Sequence, residues 1–283
     1  MFLVIVPCLI QTAVAQSFVW KISKGQDYFY LGGTMHVLTA EDHPLPVEYQ
    51  QAYQDADTLV FETDLSEISS PEFQSTMLQA MMYEDGRSLV DELSPRVYQQ
   101  LSQFLATRDM QVSNLLRVKP WGIALTLTAM EYQRLGMTEE FGVDAYFHQL
   151  ALKDHKAVSD LETPQQQLTA LTSMALVEPN QLITYTLRDM KEAATLIDDL
   201  KNIWRRGDLQ ELENSPLLLQ MQQETPVVYN ALMLKRNHNW MQTLLSFSDQ
   251  AGTEFVLVGA LHLVGEQGIL RLLQQQGFTV QQL

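Results

Sequence analysis

Two short stretches of this chain carry one pattern, and together they limit the folds it can adopt. Tyr28–His36 reads YFYLGGTMH and Phe255–His262 reads FVLVGALH. In each, an apolar run typical of a buried strand ends in glycine, and histidine follows three residues later: Gly33-x-x-His36 and Gly259-x-x-His262. Glycine serves where the backbone turns sharply or where something approaches it closely. With 13 Gly and 6 His, chance alone places such a spacing about 0.3 times in the chain. The two histidines are 226 positions apart. Only a fold that lays both runs in one sheet can join them.

The remaining pattern supports such a sheet. Phe18–Ile22 and Tyr28–Leu31 flank SKGQD, a hairpin signal with Gly25 in the turn. Pro46–Ala56 reads as a helix, Thr58–Phe61 and Lys156–Val158 as short strands. From Ser94 to Phe247 the period is mostly helical. Ile183, Leu187, Met190, Ala194, Ile197 and Trp204 keep one stripe, and His238 falls on another with Val227, Ala231, Leu234, Met241 and Leu245. Thr163-Pro164-Gln165-Gln166 has an N-cap, a proline at N1 and a glutamine at N3, so a helix starts there. Val256–Val258, Glu266–Gln275 and Phe278–Val280 read as strand, helix and strand. Strands gather at both ends and helices fill the middle. The fold class is therefore α/β (α+β): a central, largely parallel sheet, with a helical insertion at about residues 94–247 packed over the site. Residues 16–283 form one expected domain.

Charge narrows the partners. Eighteen basic against 34 acidic residues give a net charge of −16, which disfavours nucleic acid and anionic membrane surfaces. The first 15 residues, MFLVIVPCLIQTAVA, have an apolar core and an Ala13-Val14-Ala15 ending, the pattern of a signal peptide without its basic n-region. An exported, periplasmic protein is expected. Cleavage would remove Cys8, the only cysteine, and with it any thiol chemistry. No G-x-S-x-G, Walker lysine or dinucleotide fingerprint is present.

The chain resembles the TraB/GumN (Tiki-like) family. The resemblance rests on LGGTMHVLTAEDHPLP, LVFETDL, KPW (Lys119–Trp121), GVDAYF (Gly142–Phe147), LETPQQQ (Leu161–Gln167), KRNHNW (Lys235–Trp240) and VLVGALHLVGEQGILRLLQQQGF. The markers run in the family's order from about Tyr28 to Phe278 and thin out between Ser66 and Val118 and between Leu168 and Thr225. The chain departs at Leu261, where small residues are common in the family. The resemblance implies a fold shared with erythromycin-esterase-like and ChaN-like proteins and, for animal members, a metal-dependent peptidase. It carries over to His36, His262 and Glu62, with Asp64, Asp144, Glu162, Arg236 and Asn237 at supporting polar positions.

Each position has a plainer role to weigh. The histidines can be strand-end hydrogen-bond donors, and Glu62, after Leu59-Val60-Phe61, can turn to solvent. Asp64 shares a strand face with Glu62 if the strand continues, and otherwise belongs to a turn. Asp144 and His148 share a helix face at i and i+4, although His148 has no family counterpart and reads as a surface residue. Glu162 is also placed to cap a helix. Arg236 and Asn237 can anchor a carboxylate or sit in a surface ion pair.

The expectation is an exported metal-dependent hydrolase acting on a peptide or small molecule. His36, His262 and Glu62 would hold a divalent Mn, Co or Zn ion, and Glu62 or Glu162 would act as base. Alternatives are haem or another ligand bound without turnover, and a metal-free esterase-like hydrolase with His36 as base and Glu62 orienting it. All require one geometry. Open α/β sheets carry their sites at the carboxyl ends of strands. Tyr28–Leu31 and Val256–Val258 should then be parallel neighbours, with Gly33 and Gly259 at one edge and the helical middle bringing Arg236 and Asp144 to the rim.

Overall fold

A computed structural model describes residues 17–283; the expected signal peptide and Cys8 lie outside the described residues. Six strands form one sheet: β1 (Val19–Lys24), β2 (Asp27–Thr34), β3 (Thr58–Phe61), β4 (Ala157–Asp160), β5 (Glu254–Gly259) and β6 (Thr279–Gln282), in the order β4-β3-β5-β2-β1-β6. Strands β4, β3, β5 and β2 run parallel, and β1 is antiparallel to both β2 and β6. The β1–β2 hairpin turns at Gly25, whose φ of 66° is the left-handed conformation glycine tolerates without strain. Both predicted strands are neighbours. In the β2–β5 register Gly33 lies opposite Val258, and Gly259 opposite Thr34.

Every residue of β5 is buried, as is usual for a central parallel strand covered on both faces. Phe29, Phe61, Phe147 and Phe255 fill the core around it, with Tyr49 from the helix Val47–Asp55. The far end of the 27-residue helix Pro179–Arg205 also reaches this core. There the Trp204 indole donates to the Gly33 carbonyl at 2.7 Å, and the Tyr49 hydroxyl donates to the same oxygen. The end of β2 is held in place by two buried aromatic donors. Further apolar clusters lie among the helices, one around Leu101 and Ile123 and another around Trp121 and Leu168.

The helical part begins earlier than the period suggested, at Leu65–Ile68 and Pro71–Met81. On the long helix Ala193 is buried and Ala194 exposed, because the seam also runs through Leu182 and Thr186. The last helix starts at Ile269 rather than Glu266, after a turn at Gly265, which has a φ of 88°.

A larger correction concerns the stripe through His238. Asn230–Leu234 is a π-helical turn, closed by the Lys235 N–H donating to the Asn230 carbonyl. One extra residue per turn rotates everything that follows by about 100°. Arg236, Asn237, Trp240 and Leu244 therefore face inward, and His238 faces solvent.

Candidate functional site

The carboxyl ends of β2, β3 and β5 deliver three side chains to one place. Gly259 marks it: a Cβ there would stand 3.2 Å from His36 Nε2, 3.3 Å from Glu62 Oε1 and 3.6 Å from His262 Cδ2. The second glycine thus leaves room for the side chains of the site itself. Gly33 answers to packing instead, since a Cβ there would meet Leu263 at 2.8 Å, Phe18 at 2.9 Å and the Ala260 Cα at 3.2 Å.

His36 is held from one side. Its Nδ1 is 2.8 Å from Asp144 Oδ2, and Asp144 Oδ1 accepts from the Thr34 hydroxyl at 3.0 Å. Asp144 stands in the first turn of the helix Val143–Asp154, where the backbone dipole favours a carboxylate. That helix is tied to the site by the Val143 N–H, which donates to the Met35 carbonyl at 3.0 Å. Surrounding protein disfavours the charged imidazole, but the charge and hydrogen bond of Asp144, with Glu62 beyond, outweigh it and raise His36 to about 9. The ring still opens to solvent, with 60% of its side chain exposed.

Opposite lies a buried cluster centred on Arg236, whose side chain is 9% exposed. Nε donates to Glu162 at 3.0 and 3.1 Å. Nη2 donates to Glu162 Oε1 at 2.7 Å and to Glu62 Oε2 at 2.6 Å. Nη1 donates to the Leu232 carbonyl and to His262 Nε2, both at 3.1 Å. Every N–H of the guanidinium is committed. Trp240 stacks its ring over Arg236 and against His262, and its indole N–H donates to Glu162 Oε2 at 3.2 Å.

The tautomer of His262 follows from these bonds. Because Nε2 accepts from Arg236, Nδ1 carries the proton and donates to Asn237 Oδ1 at 2.6 Å. The Asn237 amide is fixed in turn, its nitrogen donating to the carbonyls of His262 and Gln267. Burial first, then the nearby Arg236 and His36 charges, push His262 down to about 3 despite the pull of Glu62. It is neutral. Burial works against ionised Glu62 too, but Arg236, the histidines and the Gly259 N–H, which donates to Oε1 at 2.6 Å, hold it well below the usual carboxylate range. Burial raises Glu162, with Arg236 and Trp240 opposing it.

The structure thus assembles His36, Glu62, His262, Glu162, Asp144, Arg236 and Asn237. Arg236 and Asp144 are buried rather than on a rim. Glu162 does not cap the helix Pro164–Thr172; Thr163 does, within a capping box closed by Gln166. Asp64 stands outside the cluster. The strand ends at Phe61, and Asp64 caps the short helix after it by accepting from Ser66 and Glu67 N–H groups. His148 packs against Phe61, 5.5 Å between ring centroids with the rings nearly perpendicular. Trp240 and the Gly259 N–H carried no role in the sequence reading. The four-residue step from Arg236 to Trp240 on a helix was the available signal.

The set expected to share a metal converges, but not as three open donors. The Nε2 lone pair of His262 is engaged by a guanidinium, and a dication there would also face that cation. Among the described residues no group of three His, Cys, Asp or Glu side chains is arranged to hold a metal ion. The three-ligand metal site does not fit these residues as they stand.

Comparison with known proteins agrees with the order of the motifs. Residues 18–282 match the TraB/PrgY/gumN family. The chain is 28% identical over 255 residues to the uncharacterised protein YbaP of Escherichia coli strain K12, covering 88% of this chain and 89% of YbaP. It is equally similar to YbaP of Shigella flexneri, with the same coverage. No solved structure matches. From β1 to β6, including both Gly-x-x-His strand ends and the Arg236 cluster between them, the chain belongs to the TraB/PrgY/gumN family.

Proposed function

We propose that this chain is a hydrolase of ester or amide bonds in which His36 moves the proton. One observation carries the reading. Of all ring nitrogens and carboxylate oxygens on His36, Asp144, Glu62, Glu162 and His262, only His36 Nε2 makes no hydrogen bond within the protein. It faces Gly259 and Glu62 Oε1 at the open side of the cluster. Asp144 orients the ring, as a carboxylate orients a catalytic histidine elsewhere. His36 takes a proton from water attacking the substrate carbonyl and returns it to the leaving group. Glu62 and Arg236 supply a fixed, dry electrostatic wall, since neither has a free hydrogen-bonding atom to exchange protons. The apolar N-terminal stretch supports action outside the cytoplasm, and no described helix is long and apolar enough to cross a membrane.

The test is hydrolysis of a panel of activated esters and anilides. Wild type should turn over at least one. His36→Ala should abolish that activity, and Asp144→Asn should reduce it by about 10³-fold or more through loss of the oriented ring. A panel turned over equally by His36→Ala removes the proposal.

A metal-dependent form of the same hydrolysis is the second reading. It draws support from His36 Nε2 and Glu62 Oε1, which flank one point, and from His262 Nε2, 3.7 Å from Glu62 Oε1. It requires Arg236 to release His262. Dialysis against a chelator, then readdition of Mn, Co or Zn, separates the two, because activity unchanged by both treatments leaves only the metal-free form. Haem would find one accessible imidazole here, His36, because His262 is 2% exposed.

A further inference from the structure

Beside the Arg236 cluster runs a groove of about 980 Å³, between the helix Pro164–Thr172 and the segment from Pro226 to Asn239. Glu162 and Arg236 form its inner wall, so the groove begins where the candidate site ends. Its walls carry Ala170, Leu176, Pro226 and Val227. Leu176 and Val227 are apolar side chains left 70% and 39% exposed there. Its size is that of a site for a small organic ligand, which usually joins an apolar lining to a few polar groups.

Among the polar side chains of the lining, two stand apart from the exposed amides of Gln165, Asn230 and Asn239. Ser173 lines it and is 9% exposed, and its hydroxyl is buried with no hydrogen-bond partner. A buried hydroxyl without a partner is uncommon, because burial removes water without replacing it. Lys235 also lines the groove, is exposed and joins no ion pair among the described residues. Within the wall Arg236 is already committed to two carboxylates, Glu162 and Glu62. Lys235 is therefore the cation of the groove lining that is left without an ion-pair partner among the described residues, in a chain whose net charge is −16. The π-turn Asn230–Leu234 leads straight into Lys235, and such turns are often found at functional sites.

We propose that this groove binds an amphiphilic monoanion: an aliphatic body along Ala170, Leu176, Pro226 and Val227, and a carboxylate head at Lys235. The inference goes beyond the hydrolase reading, because it concerns binding and does not need His36.

The test is displacement of 11-(dansylamino)undecanoate, followed by dansyl fluorescence, with competitors kept below their micellar concentrations. Dodecanoate should displace the probe at a concentration at least ten-fold lower than dodecanol, and dodecyltrimethylammonium should be the weakest. Lys235→Gln should remove the preference for dodecanoate over dodecanol and leave dodecanol unchanged. Leu176→Glu, at an exposed position that does not bear on folding, should weaken dodecanoate more than dodecanol. His36→Ala should bind as wild type does, which separates this result from the fate of the hydrolase proposal. Absence of saturable probe binding to wild type, equal displacement by the three head groups, or a preference that survives Lys235→Gln would each overturn it.

Discussion

Asp144 Oδ2 lies 2.8 Å from His36 Nδ1 across 108 positions of sequence, and that contact sets the charge on the one imidazole of the cluster that opens to solvent. His36 should titrate at about 9 by NMR. Asp144→Asn should bring it down, because the remaining influence of surrounding protein disfavours the charged ring. A pKa that does not move in this variant removes Asp144 as the cause. If His36 acts as a base, hydrolysis should rise with pH up to about 9.

The two histidines give stability opposite slopes with pH. His36 is raised when folded, so its contribution is complete below its ordinary value of 6.5 and is lost as pH rises towards 9. His262 is lowered when folded, so its contribution is present above 6.5 and is lost as pH falls towards 3. Between them the maximum falls near pH 6.5. Glu62, also lowered, steepens the acid side below about 4.5. Urea midpoints measured from pH 4 to 9 should show this dome, and Asp144→Asn should flatten only its alkaline arm.

Arg236→Met leaves two buried carboxylates without their partner. A loss of about 3–5 kcal/mol is expected, the usual result of breaking a buried ion pair from one side. Adding Glu62→Gln and Glu162→Gln to the same chain should recover a large part of it. Urea unfolding of the single and triple variants provides the measurement, and additive losses would contradict the shared role of Arg236.

The two glycines should separate in their effects. Gly33→Ala drives a methyl into Leu263, Phe18 and the Ala260 backbone, and overpacking of this kind costs about 1–3 kcal/mol. Gly259→Ala meets side-chain atoms at 3.2 and 3.3 Å and has an ordinary φ of −51°, so its stability should change less. Its methyl stands instead beside His36 Nε2 and Glu62 Oε1. Thermal unfolding should be more affected in Gly33→Ala, and the His36 titration more affected in Gly259→Ala.

Much of this architecture was readable along the chain because its signals are local. Thr58–Phe61 was placed to the residue, the hairpin declared itself through Gly25, and the capping box at Thr163 through spacing alone. Periodicity failed where geometry changed midway through an element. The stripe through His238 started on Val227, which is exposed while Val228 is buried, and the π-turn at Asn230–Leu234 shifts the phase again, so a uniform 3.6-residue count set His238 at the core edge and missed that Arg236, Asn237 and Trp240 share the interior. The commitment of the His262 lone pair to Arg236 was also out of reach, because it depends on a hydrogen bond between β5's end and a helix 26 residues away. Gly33 and Gly259 looked equivalent in sequence, and only their neighbours distinguish them.

Strand β5 enters the sheet between β2 and β3, which pair with it and not with each other. Glu62 and His36 are synthesised early, yet their strands share no hydrogen bonds and meet in the sheet only when residues 254–259 are inserted between them. A growing polypeptide on the ribosome therefore holds most of the cluster's residues without holding the cluster. The same is true of any fragment clipped before β5. Assembly of the sheet around the site thus waits for β5, whatever the order in which its other strands emerge.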